Sequence, residues 1–177
     1  MATTESFPTA VSTNSIGAHQ WFADNGTLNN PIYNAAVGDL TLSSFSSLSI
    51  PAGATIDDIE INIEGAGNPG SAGIPEMKVY NGTSWSSGQA FSAQFVKAGG
   101  TYEPGWGSSS DLWGLSWNAT TAAAIQIQID ASTFDSGGYF WDWLKVKITY
   151  TAVAVAEIPK SLTINGVATI NGKLTIK

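Results

Sequence analysis

The chain has 177 residues and no cysteine, which excludes disulfides and thiolate metal sites. Its formal net charge is −7, and its seven Lys and Arg residues are dispersed, so we expect no nucleic-acid partner, because phosphate binding needs clustered positive charge. No stretch approaches the roughly 18 apolar residues of a membrane-spanning helix, so we expect no membrane partner either.

The first 15 residues carry little apolar periodicity and predict an extended N-terminal arm whose order depends on what it touches. The single histidine, His19, lies beside Trp21 and Phe22 without other strong metal ligands nearby. We therefore expect no metal site and no cofactor.

Two alternating segments follow in the first half of the chain. Residues 40–50 predict a strand with a bulge near Ser43 and Ser44. Residues 55–65, T-I-D-D-I-E-I-N-I-E-G, predict a strand that points its isoleucines from Ile59 onward into a core. Its acids, Asp58 among them, are predicted on the opposite face, where alternating charges are typical of a solvated sheet.

The middle of the chain is dominated by turn signals. A strand over residues 75–80 leads into Asn81-Gly82, which predicts a two-residue hairpin, and residues 89–97 predict another strand. Residues 118–124 predict one helical turn with Asn118 as its N-cap.

The last two strands of this region have the clearest pattern. Residues 125–130 alternate without a fault, and residues 139–151, Y-F-W-D-W-L-K-V-K-I-T-Y-T, form a long period-two segment. Leu144, Val146 and Ile148 are predicted inward, whereas Trp143 is predicted on the outer face with the lysines. Asp142 has the inward parity, which favours a position at the rim near solvent, because burial of an unpaired carboxylate is costly.

About eight strands separated by loops predict an all-β protein made of two packed antiparallel sheets. The predicted fold is an antiparallel β-sandwich, jelly-roll-like, with an extended N-terminal arm and a C-terminal β arm. The predicted divisions are an arm over residues 1–15, the sandwich over 16–152, a linker over 153–160 and a β-repeat arm over 161–177.

Four segments together resemble a recurrent β-sandwich module of tailed-phage and prophage virion proteins. They are I-P-A-G-A-T-I-D-D-I-E-I-N-I-E (50–64), N-G-T-S-W-S (81–86), S-S-S-D-L-W-G-L-S-W (108–117) and W-D-W-L-K-V-K-I-T-Y-T (141–151). The resemblance covers about 100 residues, between 48 and 151. It implies a jelly-roll-type sandwich and brings no catalytic residues with it, and the module's usual glycine is Asp58 here.

The C-terminal segment repeats T-I-N-G with a six-residue period after Pro159. It predicts either a meander with Asn-Gly turns or a hexapeptide β-helix, and both are too small to fold alone. The segment must therefore bury its apolar face on its own sandwich or on another chain. The predicted assembly residues are Leu162, Ile164, Val167, Ile170, Leu174 and Ile176. Similar repeats occur where phage fibres become trimeric, so the resemblance favours a homo-oligomer, with a trimer preferred.

These features favour a non-enzymatic virion structural protein, either a capsid decoration protein or a tail-fibre component, with other virion proteins as partners. The alternative is a carbohydrate-binding or host-attachment module. It rests on aromatic residues in or beside loops (Trp85, Tyr102, Trp106, Trp113 and Trp117) that could stack on sugar rings. Trp106, Tyr102 and Trp113 are the candidate glycan contacts. An enzyme is disfavoured, because the chain has one histidine and no nucleophile motif.

Overall fold

The segments with period-two alternation are strands, because that period places every second side chain on one face of a pleated chain. The structure, a computed structural model, describes residues 1–12, 39–67, 76–90, 105–107, 110–130 and 139–154. Within these ranges the elements are β1 (Ala2–Ser6), β2 (Ala10–Ser12), β3 (Leu40–Ser43), β4 (Thr55–Gly67), β5 (Glu76–Tyr80), β6 (Gln89–Ala90), β7 (Gly105–Trp106), α1 (Ala119–Ala123), β8 (Gln126–Asp130) and β9 (Tyr139–Thr151).

The strands form two antiparallel sheets, which confirms the predicted fold class. The first sheet has the order β1-β9-β4-β7, and the second has the order β2-β3-β8-β5-β6. The long pair β4–β9 spans the first sheet, from Thr55 opposite Thr151 to Gly67 opposite Tyr139. Its register shifts once between Ile56 and Asp58 and once between Glu64 and Gly65.

One hydrophobic core lies between the two sheets and contains inward side chains from both. The fully buried residues of the first sheet include Ile59, Ile61, Ile63, Leu144, Val146 and Ile148, and those of the second include Leu42, Met77, Val79, Ile127 and Ile129. Each such side chain contributes roughly 1.5–3 kcal/mol through its removal from water. The predicted inward faces of β4, β8 and β9 are therefore confirmed.

The N-terminal segment is part of the sandwich. β1 pairs with β9 over five positions, from Ala2 opposite Tyr150 to Ser6 opposite Val146, and β2 pairs with β3 in the other sheet. The backbone is extended, as predicted, but residues 2–12 are edge strands of both sheets and not a separate arm. Sequence alone does not indicate this, because β1 is polar and edge pairing uses backbone groups rather than an apolar pattern.

The predicted strand over residues 40–50 ends early. β3 stops at Ser43, and Ser44 has a left-handed backbone with φ of 60°. The Thr9 hydroxyl donates to the Ser44 carbonyl at 2.7 Å, and the Thr9 N–H donates to it at 3.1 Å. The predicted bulge is therefore a strand end, held by the N-terminal segment.

The outer face of β9 contains a buried aromatic residue. Trp143 points outward, as predicted, but is only 6% exposed. Phe7 packs edge-on against its ring, with centroids 6.1 Å apart, and the Lys145 Nζ lies 5.8 Å from the ring centroid. The connection between β1 and β2 thus covers a residue that alternation alone places in solvent.

Helix α1 begins as predicted. The Asn118 side chain accepts hydrogen bonds from the N–H groups of Thr120 and Thr121, and the Thr121 hydroxyl accepts one from the Asn118 N–H. This reciprocal capping box satisfies N–H groups that have no partner inside a short helix.

Several predictions concern residues outside the described ranges. They include the linker and β-repeat arm beyond residue 154, the strand over residues 91–97 and the side chain of Asp142. These remain predictions.

Candidate functional site

The outer face of the second sheet is formed by the side chains of β3, β5 and β8 that alternate with the core residues. Thr41 lies opposite Gln128, Gln128 lies opposite Lys78, and Gln126 lies opposite Tyr80. All of these residues are partly exposed. We call this surface the outer face of the second sheet.

Two aromatic rings meet at one end of this face. Tyr80 is the last residue of β5, and Trp85 faces it across an isolated antiparallel bridge. Residues opposite each other in an antiparallel pair project to the same side, and the two ring centroids are 5.0 Å apart with planes inclined by 36°. Trp85 is 39% exposed, so part of its indole ring is open to solvent.

The loop that joins the two aromatic residues is rigidly held. The Asn81 side-chain oxygen accepts hydrogen bonds from the N–H groups of Thr83 and Ser84, while its amide nitrogen donates to the Ser116 carbonyl. Gly82 adopts φ of 86°, which favours glycine. The hairpin predicted at Asn81-Gly82 is confirmed, but its loop has four residues rather than two, because the Asn81 side chain takes up two backbone donors.

A cavity of about 280 Å³ lies beside Gln126, the residue opposite Tyr80. It is lined by Ser43, Ser44, Ala123, Ala124, Ile125 and Gln126. A Cβ placed on Gly82 would lie 3.5 Å from the Ala124 Cβ, so the loop backbone at Gly82 lies close to one of the residues that line this cavity. Gln126 therefore lines the cavity and lies opposite Tyr80, while Trp85 lies on the other side of Tyr80.

The structure corrects the assignment of Trp113 as a glycan contact. Trp113 is 3% exposed, and its indole Nε1 donates to the Ile59 carbonyl at 2.9 Å. It has φ of 58° and Gly114 has φ of 68°, while the Leu115 N–H donates to the Leu112 carbonyl, which defines a type I′ turn. A bulky residue in this conformation is an outlier, and here the buried side chain anchors the turn to β4.

The remaining predicted site residues lie outside the described part of the structure, or their side chains do. Trp106 lies in β7, opposite Ile61, but its side chain is outside the described part of the structure. Tyr102 is also outside it, as are the six predicted assembly residues from Leu162 to Ile176.

The pairing of Tyr80 with Trp85 was missed by sequence reasoning. Trp85 is among the loop aromatics, but Tyr80 reads as an ordinary strand residue. The available signal was the spacing, since aromatics on both sides of an Asn-Gly turn become cross-strand neighbours when the hairpin forms.

A second polar cluster lies on the outer face of the first sheet. Asp58 is 4% exposed and not solvated as predicted, because the segment at Asp111 covers it and the Asp111 N–H donates to its Oδ1 at 3.2 Å. Burial raises the pKa of Asp58, partly opposed by that hydrogen bond. Nearby, the Lys147 Nζ donates to Glu60 Oε2 at 2.8 Å and lowers the pKa of Glu60.

Within the described ranges, no cluster of three or more His, Cys, Asp or Glu side chains is placed to hold a metal ion. The same part of the chain contains no helix with the length and apolar character needed to cross a membrane.

Comparison with known proteins gives little further information. No family model matches the chain, and no curated protein matches it. Among solved structures, CBM35 from Paenibacillus barcinonensis superposes with a TM-score of 0.41 at 15% sequence identity, over 86% of this chain and 100% of that one. A likeness of this size carries no functional argument.

Proposed function

We propose that this chain is a non-enzymatic structural protein of a bacteriophage virion, in which the sandwich is displayed and the C-terminal repeat binds neighbouring chains. The sequence segments that resemble the virion module support the proposal. The observation that carries it is that the segment before the repeat forms two packed sheets, while the sequence continues with an apolar six-residue repeat.

Within the described residues, the two sheets already share one hydrophobic core. The core and the partly buried residues packed on it extend from Val11 to Tyr150, and β9 ends at Thr151. Just beyond, Val153 is 60% exposed. The T-I-N-G repeat lies beyond the described residues, and by its sequence its own apolar face is too small to fold alone. A packed sandwich followed by an apolar repeat fits a displayed domain with an assembly element.

The experiment is removal of residues 161–177, followed by light scattering of the full-length and truncated chains at micromolar concentration. We expect the full-length chain to form a homo-oligomer, with a trimer favoured, and the truncated chain to be a folded monomer. Monomers in both cases, together with failure of the full-length chain to add to particles that lack it, would contradict the proposal.

Point substitutions test the same element without a deletion. Ile164→Asp and Ile170→Asp should each reduce assembly, because each places a charge without a counterion in an apolar contact. Val167→Asp separates the two conformations left open by the sequence. It disrupts the apolar face of a meander, whereas it lies outside both side-chain ladders of a hexapeptide β-helix.

A carbohydrate-binding role is compatible with the same scaffold, because a displayed sandwich can also bind a host surface. The described residue that favours this second candidate is Trp85, which is partly exposed.

A further inference from the structure

We propose that the outer face of the second sheet binds an uncharged oligosaccharide, with one sugar ring stacked on Trp85 and the hydroxyl groups of the following rings bonded to Gln126, Ser43 and Ser44. We call these residues, together with Tyr80, the aromatic patch. The proposal gives the carbohydrate-binding candidate a site, and it does not depend on the C-terminal repeat.

The geometry of the rings suits a stacked ligand. Trp85 presents an open ring surface, while Tyr80 supports it at 5.0 Å between centroids and limits its movement. The hairpin loop is held by three side-chain hydrogen bonds of Asn81, so the platform is formed before any ligand arrives. A rigid aromatic platform reduces the conformational entropy lost on binding.

Polar groups continue across the sheet beyond Tyr80, with Gln126 on the neighbouring strand β8 and Ser43 and Ser44 at the end of the next strand, β3. Gln126 lies directly opposite Tyr80, and the cavity of about 280 Å³ that it lines also contains Ser43 and Ser44. That volume is close to the lower end of the range for small-molecule sites, roughly 300–1,000 Å³. Amide and hydroxyl groups both donate and accept hydrogen bonds, as the hydroxyl groups of a sugar do.

The backbone at Ser44 is a further indication. Its φ of 60° is unusual for a residue other than glycine, and its carbonyl is held by two hydrogen bonds from Thr9. Strained conformations that the surrounding structure maintains are concentrated at binding and catalytic sites. Here the strained residue lines the cavity beside the platform.

The charge of the surface selects the ligand class. The aromatic patch contains no acidic or basic side chain, and Lys78, the next outward residue of β5, lies 3.5 Å from the Asp130 carboxylate. The chain as a whole has a formal net charge of −7, which disfavours acidic polysaccharides. An uncharged glycan is therefore the complementary partner.

A protein partner fits this face less well. Of the described residues, the exposed large hydrophobic ones are Met1, Trp85 and Val153, and Trp85 is the one on this face. A stable protein interface buries about 800 Å² on each partner around an apolar centre. One partly exposed indole ring is enough for a sugar ring but not for such a centre.

Affinity electrophoresis through gels that contain galactomannan, xyloglucan or yeast mannan tests the proposal, with polygalacturonate as the acidic comparison. We expect at least one uncharged polysaccharide to retard the wild-type chain and polygalacturonate to have no effect. Trp85→Ala should weaken binding at least about tenfold, and Gln126→Ala about threefold or more, whereas Trp85→Phe should retain most of it. Val153→Ala, a truncation at another exposed apolar position, is the matched control and should bind like the wild type.

Three results would overturn the proposal: no retardation by any uncharged polysaccharide, equal retardation of wild type and Trp85→Ala, or retardation by polygalacturonate alone. Trp85-dependent self-association without any sugar effect would assign the face to a second copy of the chain and would also overturn it. The chain without residues 161–177 should bind as the full-length chain does, so failure of the assembly proposal leaves this one intact.

Discussion

At the scale of single residues, two tryptophan side chains make the same kind of hydrogen bond but differ in burial. Trp113 and Trp117 each donate an indole N–H to a backbone carbonyl at 2.9 Å, on Ile59 and Leu112 respectively. Trp113 is buried and Trp117 is partly exposed. Both are therefore structural, but water can replace the hydrogen bond only at Trp117.

We predict that Trp113→Phe lowers the free energy of unfolding by about 1–3 kcal/mol, because it leaves a buried carbonyl without this donor. Trp117→Phe is the matched control and should lower it by less. Urea unfolding of both variants measures the difference. Equal losses would show that burial does not make the hydrogen bond of Trp113 more stabilising than that of Trp117. Neither variant should change retardation by polysaccharides.

Asp58 and Glu60 should respond to pH in opposite directions. Burial, together with the nearby Glu60 and Asp111 carboxylates, raises the pKa of Asp58 above 3.8, against the Asp111 N–H and Lys147. The contribution of Asp58 to the free energy of unfolding is therefore fully present below its pKa in the unfolded state. It is lost as pH rises through its higher pKa in the folded state. Asp58→Asn should gain stability relative to the wild type as pH increases from about 3 to about 7.

The hydrogen bond from Lys147 lowers the pKa of Glu60 below 4.5. The contribution of Glu60 to the free energy of unfolding is therefore present above its pKa in the unfolded state, and it disappears as pH falls through its lower pKa in the folded state. Glu60→Gln should lower stability near neutral pH by under about 1 kcal/mol, because the pair is partly exposed, and should have no effect in acid. Unfolding midpoints across pH for the two variants and the wild type provide the test. Parallel curves would contradict the assignment.

At the scale of elements, the N-terminal strands connect the two sheets. β1 closes one edge of the first sheet and β2 closes one edge of the second, although they are separated by only three residues. The Ser6 hydroxyl accepts a hydrogen bond from the Ser47 N–H at 3.1 Å, and Glu5 pairs with Lys145 at 3.0 Å. The first twelve residues thus tie both sheets and the loop after β3 together.

We predict that deletion of residues 1–12 lowers the free energy of unfolding by at least about 2 kcal/mol, because it exposes two sheet edges and uncovers Trp143. Hydrogen exchange should show lost protection in β9 and β3, while the β5–β8 pair keeps its protection. Thr3→Ala, at an exposed position of β1 that retains the backbone pairing, is the control and should change little. Unchanged protection of β9 would indicate that β1 adds no stability.

At the scale of the whole molecule, the long central pair β4–β9 and the core residues of the second sheet form one unit within residues 2–151. We predict that a fragment of residues 1–154 unfolds in a single cooperative transition. Its midpoint should match that of the full-length chain measured at a concentration where assembly is absent. Calorimetry provides the measurement, and a fragment that is markedly less stable would place later residues in the sandwich core.

The sequence by itself determined the inward faces of the strands, since period-two alternation is local: Ile59, Ile127, Val146 and their neighbours point where their spacing requires. It also determined the Asn118 cap and the position of the hairpin, because a helix end and a tight turn are made by residues close in the chain. These features need no knowledge of what packs against them.

Only the tertiary structure decided which outward residues remain exposed. Trp143 and Asp58 both have outward parity, yet Phe7 covers one and the Asp111 segment covers the other. These contacts join residues more than 50 positions apart, and alternation says nothing about them. The aromatic patch has the same origin, because strand order in the second sheet brings Tyr80 next to Gln126, and Gln126 next to the serines at the end of β3. Strand order is a property of the whole chain, so the candidate site became visible only with the fold.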